Sequence, residues 1–292
     1  MSRVRHGLSM KRAAVGLSLM LEEEYRAAAY PLLDTGEVDI LEWSFDTCWG
    51  EAAVPEWAEG LIDFYSRKDR LLGHGVYFPL FAVDWKKPHR RWMMLLGREL
   101  KKHRYRRLSV HYGFMGAGSF VRSAPLPVPQ TANSLQLGRK RLRRLAEVSK
   151  VPVGLENLAF AFGRAEVEGQ GGFLDRLLEP VGGFLLLDLH NLYCQIRNFR
   201  ESETALSAGY PLDRVREIHV SGGSWRKSIR RDTHDGPVPE EVFRLLVLAL
   251  EKCPNADAVI FERLGDTLGT AAARRRFQSD YRRIRSIVKG AR

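Results

Sequence analysis

Eight apolar, β-branched-rich runs recur along this 292-residue chain, spaced about one strand-plus-helix unit apart. They cover residues 14–19, 38–43, 71–77, 108–111, 151–156, 184–188, 217–220 and 258–262. Continuous apolar runs of this kind suit strands buried on both faces of a parallel sheet. Helical periodicity fills the intervals, at 57–67 after Pro55, at 137–148, and at 240–251 after Pro239. Eight strands alternating with helices predict an α/β fold, a single (β/α)8 TIM barrel running through residues 1–292 as one domain. A doubly wound open sheet needs a Gly-rich first turn, and no glycine cluster follows residues 14–19.

Apolar residues make up 45% of the chain, enough for a core of that size. No apolar run reaches the roughly 18 residues of a membrane span, so no membrane partner is expected. The basic start, 1–12, leads into an apolar stretch at 13–21 with no small-residue cleavage site, so a secretory signal is not expected. Cys48, Cys194 and Cys253 form no CxxC pair, which predicts neither a disulfide framework nor a thiolate zinc site, and a cytoplasmic location. The net charge of +11 concentrates in 89–107, 139–144, 226–231 and 274–285. These clusters read as solvated helix faces, in preference to a nucleic-acid grip. His6, His89 and His103 lie in basic surroundings and read as surface residues. Two stretches look like insertions: 113–130 as an irregular lid after the fourth strand, and Gly- and Glu-rich 163–172 as a loop after the fifth.

The ends of the strand candidates carry the chemistry. In chain order they offer His74, His111, Glu156, Asp188 followed by Asn191, His219, and finally Glu262. Beyond His219 comes Asp232-Thr233-His234-Asp235-Gly236-Pro237-Val238, whose Asp-x-His spacing offers an oxygen and an imidazole nitrogen to one centre. A barrel brings strand C-termini to one mouth. Each of these side chains alone is more simply a hydrogen-bonded core residue. Together they exceed what one ion uses and predict two or three ions held by bridging carboxylates. His190, between Asp188 and Asn191, is read as a residue that supports a ligand. An imidazole and carboxylate set without thiolates suits iron, manganese or zinc.

His74-Gly75-Val76, Ser109-Val110-His111, Glu156-Asn157, Leu187-Asp188 with Asn191, Ile218-His219-x-x-Gly222, Asp232-x-His234-x-x-Pro237-Val238 and Glu262-Arg263 resemble the motifs of the multinuclear non-haem iron-dependent oxidative enzymes. That family includes the iron subunit of methanobactin biosynthesis and a relative that excises carbon from a peptide cysteine. The resemblance runs from about Val15 to Glu262. It implies a barrel of the xylose-isomerase-like kind. His74, His111, Glu156, Asp188, Asn191, His219, Asp232, His234 and Glu262 would hold two or three irons cycling between Fe2+ and Fe3+. It further implies dioxygen as co-substrate, a ribosomally made precursor peptide modified at cysteine, and a small partner protein that binds the leader peptide. Asp232 and His234 are the expected catalytic pair, and Arg231 and Arg263 are candidates for attracting an acidic segment of the peptide. The chain departs from the family pattern in its first strand, Gly16-Leu17-Ser18-Leu19-Met20, which lacks the following histidine. It departs again in the second, Leu41-Glu42-Trp43-Ser44-Phe45-Asp46, and at Tyr77-Phe78-Pro79. The rival function is a zinc phosphodiesterase like endonuclease IV, acting on DNA. Against it, Asp188-x-x-Asn191 stands where that nuclease has Asp-x-x-His.

Overall fold

The computed structural model describes residues 12–49, 53–82, 86–117, 120–204 and 209–291. Strands β1 (Ala14–Leu19), β2 (Ile40–Trp43), β3 (Leu71–Gly75) and β4 (Leu108–His111) lead into a hairpin of β5 (Phe114–Ala117) and β6 (Phe120–Leu126). The sheet resumes with β7 (Val153–Glu156), β8 (Phe184–Asp188) and β9 (Val215–Val220). A second hairpin, β10 (Trp225–Arg226) and β11 (Ile229–Arg230), precedes β12 (Ala258–Phe261). Eight of these strands close a barrel in the order β1-β12-β9-β8-β7-β4-β3-β2, every pair parallel. Parallel neighbours need crossovers, and helices supply them. These are α1 (Glu23–Asp34), α2 (Glu56–Arg67), α3 (Lys86–Lys102), α4 (Ala132–Ser149), α5 (Arg164–Leu178), α6 (Leu189–Phe199), α7 (Glu240–Lys252) and α8 (Ala271–Gly290).

The barrel predicted from the alternating runs is the barrel observed. Strand ends moved by one or two residues, as at β2, which starts at Ile40 rather than 38, and β3, which stops at Gly75 rather than 77. Local signals set the helix ends. Pro55 and Pro239 precede α2 and α7, and Thr131 and Thr270 cap α4 and α8 by accepting from Ser134 N and Ala273 N.

The apolar layer between barrel and helices takes up most buried hydrophobic residues. Inside the barrel a small plug of Ile40, Leu72, Ala258 and Ile260 closes the floor. Side chains two apart on a strand share a face. One step up from that plug therefore carries the interior from Ile40 to Glu42, from Leu72 to His74, and from Ile260 to Glu262. The interior changes from hydrocarbon to polar ligand-type groups within about 7 Å of rise.

Two loop expectations are corrected. Residues 113–130 contain the β5–β6 hairpin rather than an irregular lid. Residues 163–172 form the first half of α5 rather than a loop. Its glycines obscured the helix. At Gly171 a Cβ would stand 2.0 Å from the carbonyl oxygen of Gly209, so the close approach of that segment requires glycine inside the helix.

Most Lys and Arg side chains of the basic clusters are exposed, as expected, but His89, His103, Arg107, Arg141 and Arg230 are buried; His6 lies outside the described residues. Arg141 donates to the carbonyls of Leu80 and Ala82 at 2.7 and 2.8 Å, pinning the segment that follows β3. Arg107 crosses the barrel below the site. Its Nε donates to Glu217 Oε2 at 2.9 Å, one terminal nitrogen to Asp257 Oδ1 at 2.6 Å, and the other to the Arg216 carbonyl at 3.1 Å. Burial alone would raise the Glu217 carboxyl, but the Arg107 charge holds it below the ordinary 4.5.

Removing one partner of a buried pair leaves an uncompensated charge. Arg107→Leu should therefore cost about 3–5 kcal/mol, read as a lower midpoint in denaturant titration. Because the Glu217 carboxyl is depressed in the folded state, the stability it contributes is complete above pH 4.5 and fades as pH falls below it. The wild type should lose stability in that acid range more steeply than Arg107→Leu.

Candidate metal centre

Register brings the strand-end residues to one level. Asp188 lies beside His219, His219 beside Ile260, and His111 beside Glu156 on paired strands. His74 sits one rung away, beside Ser109. His74, His111, Glu156, Asp188, Asn191, His219, Asp232, His234 and Glu262, all named from sequence, converge on the mouth of the barrel.

The imidazoles are fixed from behind. His111 Nδ1 donates to the Val76 carbonyl at 3.1 Å, which leaves Nε2 as the lone-pair nitrogen. His74 Nδ1 meets Ser109 Oγ at 2.9 Å, and its Nε2 faces His111 Nε2 at 3.2 Å. Both nitrogens point at Glu156 Oε2, at 3.4 and 3.2 Å. Burial lowers the proton affinity of both rings, and for His74 the neighbouring His111 and His219 lower it further. Both are therefore neutral bases, as metal ligands must be.

Asp188, Glu42 and Glu262 each leave one oxygen without a hydrogen-bond partner, and Glu156 turns one to two imidazoles. Asp188 caps α6, its Oδ1 accepting from Asn191 N at 2.5 Å, while its Oδ2 is buried without a partner. Glu156 Oε1 accepts from Asn191 Nδ2 at 3.1 Å, and its Oε2 faces the two imidazoles. Glu42 Oε2 lies 3.0 Å from His219 Nε2, with Oε1 buried and unpartnered. Glu262 Oε2 lies 3.1 Å from His219 Nδ1, yet neither atom makes an aligned hydrogen bond. The same holds for His234 Nε2, 2.9 Å from Asp232 Oδ1. Atoms at contact distance that face one space without hydrogen-bond alignment are arranged as ligands of a common ion are.

The ligand atoms group accordingly. Within each of four sets all donor atoms lie within 4.8 Å of one another: His74, His111 and Glu156; Glu156, Asp188 and His219; Asp188, His234 and Glu262; and Glu42, His219 and Glu262. Glu156 joins the first set to the second, and Asp188 the second to the third. The residues fit a multinuclear cation site. Burial pushes the Glu156 and Asp188 carboxyls up, with nearby carboxylates adding to it. Burial opposes charge on His219, but Glu262 and Glu42 lift its proton affinity well above the usual imidazole value. A cluster of buried anions that must borrow protons in this way lacks positive charge.

Two sequence expectations are refined. Asp232 belongs to none of the four sets and sits at their edge, joined through His234 and His190. Asn191 turns its amide nitrogen to Glu156, and its Oδ1 is buried without a partner. Arg231 donates to Ser224 Oγ and Arg263 to Thr267 Oγ1. The residues missed were Glu42 and Glu217. Glu42 was passed over because it precedes the last residue of its strand, although a carboxylate inside the apolar run Ile40-Leu41-Glu42-Trp43 is itself a signal.

The loop carrying Asp232 and His234 is held by glycine contact. A Cβ at Gly222 would meet the Pro237 carbonyl at 2.1 Å, and His234 itself adopts a left-handed φ of 49°.

The sequence profile of the RiPP precursor modification enzymes MbnB/TglH/ChrH matches residues 33–286. The chain belongs to this family. Curated relatives of the MbnB/TglH/ChrH member described here include a UPF0276 protein of Streptomyces avermitilis, 29% identical over 70% of this chain and 43% of its own length. Another, from Caulobacter vibrioides, is 30% identical over 52% of this chain and 55% of its own. The chain thus spans about half the length of the curated relatives it matches. Among solved structures, D-psicose 3-epimerase from Clostridium cellulolyticum H10 superposes with a TM-score of 0.60 at 13% identity, covering 94% of this chain and 99% of that one. The IOLI protein with a bound zinc atom gives 0.58 at 12% identity, covering 96% and 99%. Both establish the xylose-isomerase-like barrel for this family member.

Gly222→Ala should push the Pro237 carbonyl away and displace His234, at a cost of about 1–3 kcal/mol. The checks are a lower Tm and, in a crystal structure of the variant, a shifted loop at 232–237. An unmoved loop would contradict the contact.

Proposed function

We propose that this RiPP precursor modification enzyme is a multinuclear iron oxidase that uses dioxygen to modify its precursor peptide at cysteine. The observation that carries the reading is a set of buried carboxylates facing a shared space: Glu42, Asp188 and Glu262 each leave one oxygen without a partner, and Glu156 turns one to the His74 and His111 imidazoles. Family membership supplies the class of substrate. Three linked sets would hold the cations: His74, His111 and Glu156; Glu156, Asp188 and His219; and Asp188, His234 and Glu262. Asn191 Oδ1 and Asp232 are further candidate ligands. Iron bound there would supply one-electron chemistry toward dioxygen, and donors without thiolate suit it.

The chain's own residues do the rest. Ser109, the Val76 carbonyl and Glu42 fix which nitrogen each imidazole presents. The α6 N-terminus, through Asn191 N, fixes the Asp188 carboxylate. Asp232 and His234 form the catalytic pair: Asp232 Oδ1 lies against His234 Nε2 at the open rim, where both are less buried than the cluster behind them. Asp232, whose two imidazole contacts are both at Oδ1, can there accept through its other oxygen the proton that a peptide thiol gives up on binding. The two hairpins, β5–β6 and β10–β11, follow the C-terminal ends of β4 and β9 and stand where a peptide would enter. A leader-binding partner protein and a cytoplasmic setting complete the reading; no helix among the described residues is long and apolar enough to cross a membrane.

Protein purified without chelators should carry two or three irons by elemental analysis. His219→Ala should lose most of that iron while its circular dichroism stays that of the wild type. Air-exposed, iron-loaded protein should change the mass of a cysteine-bearing precursor peptide. Stoichiometric zinc with cleavage of abasic DNA would instead favour the phosphodiesterase, and full iron occupancy in His219→Ala would refute the ligand assignment.

A further inference from the structure

One histidine lies against the cluster without belonging to any of its sets. His190, fully buried on the first turn of α6, is gripped on three edges. Its Nε2 faces Arg230, with Nε at 3.2 Å and a terminal nitrogen at 3.1 Å. Its Nδ1 lies 3.0 Å from Asp232 Oδ1. Its Cε1 edge packs on Gly223, where a Cβ would come within 2.7 Å of it. A guanidinium has donors and no acceptor and keeps its proton in a protein. Nε2 must therefore be the accepting nitrogen, and Nδ1 carries the hydrogen toward Asp232. Arg230 has no freedom to relinquish this role. Its guanidinium sits between the rings of Tyr193 and Trp225, at 5.4 and 5.7 Å, and Asn198 holds its backbone at both N–H and carbonyl, each at 2.8 Å.

We propose that Arg230 and His190 are positioning residues for the cation site. Arg230 selects the tautomer of His190, and His190 Nδ1–H fixes the orientation in which Asp232 meets His234. This rests on the iron-site reading above. Both imidazoles that reach Asp232 do so at Oδ1, so without His190 the carboxylate turns freely about its own axis and His234 loses its fixed neighbour. The chain of contacts also runs outward. Trp225, about half exposed on β10, stacks on the same arginine that sets the histidine, so the surface hairpin is mechanically continuous with Asp232.

The test uses Co2+ alone as probe, titrated into the full-length metal-free protein and followed by its visible absorption. Arg230→Met and His190→Leu should weaken Co2+ binding by about ten- to a hundredfold, the range found when outer hydrogen-bond partners of ligands are removed. His190→Asn, whose amide nitrogen can stand where Nδ1 stood, should retain most of the affinity. In long-range 1H–15N spectra of the metal-free protein, His190 should show the Nδ1–H tautomer, and Arg230→Met should convert it to a mixture. A merely structural role would move neither the tautomer nor the rescue by asparagine. Wild-type affinity in folded Arg230→Met, or an Nε2–H tautomer in the wild type, overturns the proposal. If His190→Leu fails to fold, Arg230→Met and His190→Asn still decide it. Loss of Co2+ binding in the wild type would instead bring down the cation site itself.

Discussion

A barrel interior lined with carboxylates is an electrostatic liability, and everything at the mouth of this one answers to it. Glu42, Glu156, Asp188, Glu217 and Glu262 are all buried. An unpaired buried carboxylate costs several kcal/mol, so each must be neutralised, paired or bound to a cation. Among the described residues, a permanent charge pairs with Glu217, through Arg107, and with none of the other four. Of the others, Glu42, Asp188 and Glu262 each leave an oxygen without a hydrogen-bond partner, and Glu156 turns one to His74 and His111. Cations would close that deficit, and the linked sets sharing Glu156 and Asp188 offer more than one place for them.

The geometry follows from strand register together with a change in side-chain chemistry. A parallel barrel gives every strand the same polarity, so one end collects all the C-termini. The floor is sealed by Ile40, Leu72, Ala258 and Ile260, and two residues beyond Ile40, Leu72 and Ile260 the same inward face bears ligand-type groups. Behind them stand groups that fix orientation: Ser109, the Val76 carbonyl, the α6 N-terminus and the Arg230–His190 pair. Such supports matter because a flexible carboxylate or a mixed tautomer dilutes the population competent to bind.

Much of this was legible in the residues. Apolar runs at regular intervals predict the barrel, and the polar groups ending those runs, His74, His111, Glu156, Asp188, His219 and Glu262, are ones the barrel brings together at its mouth. What was not legible depended on contacts between distant segments. The helix through Gly169, Gly171 and Gly172 looked like a loop because the close approach of Gly209 is invisible in a local window. His89, His103, Arg107, Arg141 and Arg230 looked like surface because charge density along the chain says nothing about which members turn inward to carbonyls or carboxylates. Glu42 carries a local signal, a carboxylate inside an apolar run, but its partner is not local: the fold sets it beside His219, 177 residues away.

Crystals grown from iron-loaded protein and measured at the iron absorption edge test the central claim most directly. Two or three anomalous peaks should stand among His74, Glu156, Asp188, His219 and Glu262, each within coordination distance of the oxygens now without partners. A site free of peaks, with Asp188 and Glu262 hydrogen-bonded to neighbours as neutral acids, would contradict it.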